Sequence, residues 1–198
     1  SDVYKRQIVA FNPQFLFLSG AVNNDNLVAC ISAVGVWFGI ALLGRSLGPD
    51  GDEPPRSPST SDVLLFGALA GLAALSKLSG LLLSLYVGLT FGLIAWQRRD
   101  VRLFIRYGIV SGGAMVVVSG WWYLRNWLLF GDPLALQAMF DILPRRAEPP
   151  TLDELIARAE GIWYSVWAVF GWFNVVVSPY IYYFYSGLSI VGLGGFLF

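Results

Sequence analysis

The sequence predicts an all-α fold: a multi-pass transmembrane helix bundle with an extracytoplasmic amphipathic helix. Of the 198 residues, 56% are hydrophobic and only 13% are charged, about half the charged share of an ordinary soluble domain. The apolar residues also run in long blocks rather than narrow stripes, so lipid is the solvent that suits most of the chain. A third observation marks where chemistry belongs. An apolar tract around Phe11, Pro13, Phe15 and Phe17 runs into Asn23-Asn24-Asp25-Asn26, and a second apolar tract starts at Leu27. Hydrocarbon does not tolerate such a cluster. It belongs at a membrane surface or in a wet cavity, where a functional site is the default reading.

Residues 1–7 read as a sequencing-adapter scar, because Asp2-Val3-Tyr4-Lys5-Arg6-Gln7 is what a common sequencing-transposon end encodes in frame. Residues 8–198 are expected to be an internal fragment of one transmembrane domain. Its first span covers about 8–18. The second, 27–43, is roughly 17 residues and crosses about 25 Å. Residues 44–62 are a polar linker broken by Pro54, Pro55 and Pro58. Residues 63–96 as one helix would measure about 50 Å, well beyond a bilayer core of about 30 Å. The break Ser76-Lys77-Leu78-Ser79-Gly80 divides it into spans at 63–75 and 78–96.

Arg98, Arg99, Arg102 and Arg106 come next, overlapping a span at 104–124. An external region then occupies 125–178. Gly131-Asp132-Pro133 makes a turn there, and Pro144, Pro149 and Pro150 exclude a continuous helix. Thr151 and Glu154 are spaced as a capping box. Leu152, Leu155, Ile156, Ala159, Ile162, Trp163 and Val166 then share one helical face, as in a helix lying along a membrane surface. A last span occupies 179–198, and no internal repeat is visible. The arginine-rich loop after Trp96 is expected to be cytoplasmic. Counting spans from it puts residues 23–26, the break at 76–80 and residues 125–178 outside.

Several functions are excluded at once. Net charge is zero, which leaves no electrostatic footprint for nucleic acid. Histidine is absent, removing a Ser-His-Asp triad, a Cys-His pair and histidine-ligated metal. The single Cys30 has no internal disulfide partner and reads as a small hydrophobe. Gly67 with Gly71 is a helix-packing spacing, and no phosphate-cradling glycine loop or metal-ligand spacing is present.

Three polar clusters are therefore expected on the outer face: 23–26, 76–80, and 123–126 with Asp132. One carries the carboxylate of Asp25. The other two carry the cations Lys77 and Arg125. A carboxylate beside fixed cations at the mouth of a bundle suits a phosphate-bearing lipid. The cations hold the phosphate, arginine in a bidentate fork, and the carboxylate accepts a proton from an attacking hydroxyl. Each residue has a plainer reading as well. Asp25 fits a helix N-cap, Lys77 a snorkelling interface lysine, and Arg125 an anchor among Trp121, Trp122 and Trp127. Arg145 and Arg146 read as solvated. Trp163, Trp167, Trp172, Tyr180, Tyr182, Tyr183 and Tyr185 read as an interface belt.

An ordered set of motifs carries a resemblance across nearly the whole chain after Gln7. It comprises Phe11-Asn12-Pro13-Gln14-Phe15, Asn23-Asn24-Asp25-Asn26-Leu27, Gly71-Leu72-Ala73-Ala74-Leu75-Ser76-Lys77-Leu78-Ser79-Gly80, Gly120-Trp121-Trp122-Tyr123-Leu124-Arg125-Asn126 and Phe130-Gly131-Asp132-Pro133-Leu134. The set resembles bacterial GT-C membrane glycosyltransferases that use a polyprenyl-phosphate sugar, relatives of the protein O-mannosyltransferases and the aminoarabinose transferases of lipid A. The resemblance implies a multi-pass protein of the bacterial plasma (inner) membrane with its site facing outside. Its partners would be a polyprenyl-phosphate-linked sugar, an acceptor glycan, lipid or protein, and the bilayer. It implies a catalytic-site role for Asp25 and donor-phosphate binding by Lys77 and, more loosely, Arg125. Asn23, Asn24, Asn126 and Asp132 would be supporting polar groups. Some relatives use a divalent metal; no cofactor is otherwise implied. The family's leading catalytic aspartate and its acidic pair lie upstream of anything present here. Asp25 is then a supporting carboxylate, and the fragment alone is expected to be inactive. Two rival readings remain: a transporter or flippase of a lipid-linked or anionic substrate, and a non-catalytic membrane scaffold.

Overall fold

The computed structural model describes residues 7, 10–21, 23–47, 56–142, 149–171 and 174–197. Along the chain lie α1 (Pro13–Ser19), α2 (Asn24–Leu47), α3 (Thr60–Ser76), a 3₁₀ turn (Leu78–Leu81), α4 (Leu82–Gln97), α5 (Val101–Phe130), α6 (Leu136–Ile142), α7 (Leu152–Trp167), β1 (Val169–Phe170), β2 (Val175–Val176) and α8 (Pro179–Leu197). They form two compact units, residues 23–145 and residues 1–22 with 146–198.

In the first unit, side-chain caps set most helix starts, so the helices outrun the apolar tracts. Asn23 Oδ1 accepts the Asn26 N–H at 3.0 Å, which draws the amide cluster into the first turn of α2. Ser59 and Asp62 form a reciprocal capping box at α3, with Ser59 Oγ accepting the Asp62 N–H at 3.2 Å and Asp62 Oδ2 accepting the Ser59 N–H at 2.9 Å. Burial acts to raise the Asp62 pKa, but the Ser59 donors and Arg45 outweigh it and leave that carboxyl below its ordinary value. Asp100 caps α5 through the Leu103 N–H at 3.2 Å. Gly131, at φ +67°, ends α5 in the left-handed conformation that glycine adopts freely.

The partners across each interface fix the helix directions. Asn24 meets Ser76, Phe38 packs on Phe66 and Arg45 reaches Asp62, so α2 and α3 are antiparallel. Phe91 packs on Tyr107 at 4.9 Å, and Gly92 lies by Phe104, so α4 and α5 are antiparallel. Gly67 lies against the Ser111 carbonyl, Gly71 against that of Met115, and Tyr123 donates to the Ala74 carbonyl, so α3 and α5 run parallel. The start of α2, the end of α3, the start of α4 and the end of α5 therefore share one end of the unit. Leu42, Val63, Phe66, Leu83, Phe91 and Ile94 form the buried centre. The outward face is also apolar: Trp37, Leu85, Leu89, Val117 and Leu128 are each more than 60% exposed. Among the described residues three helical segments, Asn24–Leu47, Leu78–Gln97 and Val101–Phe130, are long and apolar enough to cross a membrane, and Thr60–Ser76 is apolar but shorter.

In the second unit α1 begins only at Pro13, with Asn12 as its cap accepting the Phe15 N–H at 3.1 Å. Thr151 caps α7 by accepting the Glu154 N–H at 3.3 Å. The expectation of an all-α chain needs correcting: the protein is mostly helical but includes a two-stranded antiparallel hairpin, Val169 opposite Val176. Gly171 turns the chain at φ +64°, the β-branched valines suit the strands, and Gln14 Oε1 accepts the Val169 N–H at 2.8 Å. Tyr182 is no interface residue. It is 1% exposed, stacks on Tyr164 at 3.9 Å and donates to the Ala168 carbonyl at 2.6 Å. Tyr185 likewise stacks on Trp167 at 4.5 Å. Arg145, Arg146, Pro144 and Trp172 lie outside the described residues.

Candidate functional site

The site is built where the chain breaks between α3 and the 3₁₀ turn. The apolar run 63–96 is interrupted at Lys77, whose backbone is extended at φ −160°, ψ 151°. Its N–H donates to the Ala73 carbonyl at 3.2 Å, and its own carbonyl accepts the Gly80 N–H at 2.9 Å. Gly80 is needed there because a Cβ would lie 2.0 Å from the Ala73 carbonyl oxygen. The fold-back therefore projects the Lys77 side chain from a pinned backbone.

Across from it stands Asp25. Asn23, not Asp25, caps α2. Asp25 sits in the first turn, where the helix dipole favours a carboxylate, and its side chain is left to pair. Lys77 Nζ donates to Asp25 Oδ1 in a salt bridge, with the two side chains 42% and 46% exposed. Beside the pair, Asn24 Nδ2 donates to the Ser76 carbonyl at 3.3 Å. Tyr123 brings α5 to the same end by donating to the Ala74 carbonyl at 2.9 Å. An ion pair this exposed adds little to stability, typically about 0–1 kcal/mol. Both charges remain open to a ligand.

The other candidate residues divide differently. Arg125 has its guanidinium 5.2 Å from the centre of the Trp122 ring. It lies about 200° around the helix from Tyr123, away from the face that meets α3, so the aromatic-anchor reading describes its observed contact. Asn126 is 4% exposed and donates to the Pro133 carbonyl at 3.4 Å, fastening the turn after α5. Asp132 accepts the N–H groups of Leu134 at 2.9 Å, Leu136 at 2.7 Å and Gln137 at 3.3 Å. These backbone donors, Leu134 first, hold its carboxyl below the ordinary range. Asp132 thus starts α6.

A lone carboxylate already held by an ammonium is a poor donor set for a divalent cation, and among the described residues no three acidic or cysteine side chains gather. The sequence singles out Asp25 and Lys77, which the fold pairs, but offers Asp25 rather than Asn23 as the cap of α2. Three amides compete for that position, and only backbone geometry selects one. Compared with protein-family models, curated proteins and solved structures, the chain matches none.

Proposed function

We propose that the chain is part of a multi-pass membrane glycosyltransferase that moves a sugar from a polyprenyl-phosphate donor to an acceptor at the extracytoplasmic face. The observation that carries this reading is the half-exposed Asp25–Lys77 pair at one end of a set of long apolar helices. In the proposed reaction an acceptor hydroxyl attacks the anomeric carbon, the carbon–oxygen bond to phosphate breaks, and the polyprenyl phosphate leaves with the bonding electrons. Lys77 offsets the charge growing on that phosphate, an electrostatic role expected to be stronger in the transition state than in the ground state. Asp25 holds the ammonium in position before the donor arrives, and a carboxylate takes the proton that the acceptor hydroxyl loses. Arg125, engaged by Trp122, enters this proposal only as a second, outlying cation.

A scaffold reading has one observation in its favour: Asn24 and Asp25 together latch α2 to the end of α3. Turnover separates the two. In the intact protein, with radiolabelled polyprenyl-phosphate sugar, Asp25→Asn should lower transfer, and Lys77→Ala, which removes the charge-stabilising donor itself, should lower it further, by roughly 10²-fold or more, with membrane insertion unchanged. Wild-type turnover in both variants would leave the pair as a latch.

A further inference from the structure

At the turn between α4 and α5, charge and apolar surface meet in a groove that the proposed chemistry does not use. The groove has a volume of about 500 Å³. Gly92, Trp96, Val101 and Phe104 give it apolar walls, and Arg99 and Asp100 belong to the same lining. Apolar walls with a few polar groups are the make-up of a ligand site, and the volume is of that order. Trp96 is 76% exposed and Val101 72%. Gly92 leaves the floor low, since even a Cβ there would stand 3.7 Å from the Phe104 ring.

The two charges in the wall are adjacent and opposite, yet neither makes an ion pair among the described residues. Asp100 Oδ1 accepts the Leu103 N–H at 3.2 Å as the cap of α5. Arg99 holds φ +51°. Its N–H donates to the Trp96 carbonyl at 3.0 Å, and the Asp100 N–H donates to the Ala95 carbonyl at 3.0 Å. Those two bonds close a helix end at which glycine is the usual residue. Any side chain at such a φ costs backbone energy that glycine does not. The turn therefore accounts for a glycine at position 99 and gives no reason for an arginine. The groove beside it does.

We propose that this groove binds phosphatidylethanolamine, with the lipid phosphate on the Arg99 guanidinium, the primary ammonium of the headgroup on the Asp100 carboxylate, and one acyl chain along Gly92 and Phe104. Charge complementarity selects this occupant. A zwitterionic headgroup satisfies both charges in the wall, whereas an anionic one leaves Asp100 facing a like charge. The complementarity is local and does not draw on the net charge of that end. The position suits a lipid as well. The groove lies where Leu78–Gln97 ends and Val101–Phe130 begins, two segments long and apolar enough to cross a membrane, and Trp96 is the kind of side chain that stands at headgroup level. The site is independent of the sugar-transfer reading, which uses the other end of the unit.

The test is lipid retention by the full chain, purified in detergent, exchanged into mixed micelles with equal amounts of phosphatidylethanolamine, phosphatidylglycerol and phosphatidylcholine, and read by native mass spectrometry. Phosphatidylethanolamine should be retained over each of the others by about fivefold, the weight of one exposed ion pair. Asp100→Asn, which keeps a capping oxygen, should bring phosphatidylglycerol level or ahead. Arg99→Gly should abolish the preference while raising the thermal midpoint, because glycine relieves the positive φ. Gly92→Leu, which fills the groove, should lower retention of all three lipids. Equal retention of the three by the unaltered chain overturns the proposal. Phosphatidylglycerol in the lead would show Arg99 acting alone, and phosphatidylcholine level with phosphatidylethanolamine would hand the headgroup to the Trp96 ring; either result rejects it. So does an undiminished preference in Arg99→Gly and Asp100→Asn, or a lowered midpoint in Arg99→Gly, which would make Arg99 a structural residue.

Discussion

At Asp132 a single side chain decides whether the chain after α5 turns into another helix. Its carboxylate accepts three backbone N–H groups, and they hold its pKa below the ordinary aspartate value. A depressed carboxyl contributes stability above its unfolded pKa and loses it as pH falls through the folded one. Hydrogen-exchange protection at the Leu136 and Gln137 amides should therefore be full at neutral pH and decline below about pH 4. Asp132→Ala should show the same loss at pH 7; unchanged protection would detach α6 from this cap. Residue roles were only partly legible beforehand. Asp25 and Lys77 stood out because a charge in an apolar sequence has few places to go. Arg125 stood as a looser candidate with an aromatic-anchor alternative; its helical phase relative to Tyr123 sends it to Trp122, and phase is invisible until the neighbouring helix is placed.

At the level of elements, the break at 76–80 was readable from length alone, since residues 63–96 are too long for one crossing. What length could not supply is how close the pieces come. The α3–α5 contact depends on Gly67, where a Cβ would lie 2.1 Å from the Ser111 carbonyl oxygen. Backbone cannot yield as a flexible side chain does. Gly67→Ala should cost about 1–3 kcal/mol through overpacking, and Gly80→Ala should cost at least as much, because Ala73 blocks it in the same way. Gly88→Ala is the control: nothing lies within 4 Å of its would-be Cβ. Thermal unfolding in detergent checks all three, and equal midpoints would dismiss the close packing. The helix starts at Thr60 and Val101 lie outside the apolar tracts because polar caps, not hydropathy, set them. The hairpin at 169–176 gave too short a pattern to separate from loop.

For the whole molecule, a mostly helical chain with three helical segments able to cross a membrane follows from composition and block length. The alternating directions of α2, α3, α4 and α5 place residues 23–26 and the arginines after Gln97 at opposite ends of one unit. On the membrane reading, cysteines introduced at Asn24 and Arg99 in a Cys30→Ala background should react with an impermeant thiol reagent from opposite faces. Labelling of both from one face would reverse that reading. Cys30 must be replaced because it is exposed.

The parallel pairing of α3 and α5 has a geometric consequence. Ala74 is level with Tyr123, yet α5 continues to Phe130, about 10 Å of further helix, while α3 stops at Ser76. The end of the unit is thus a stair rather than a plateau, with the Asp25–Lys77 pair on the tread and the last turns of α5, bearing Trp127 and Leu128, as the riser. Within this unit, whatever reaches that tread along α5 meets the side of its last turns, a wall that the shorter α3 does not raise.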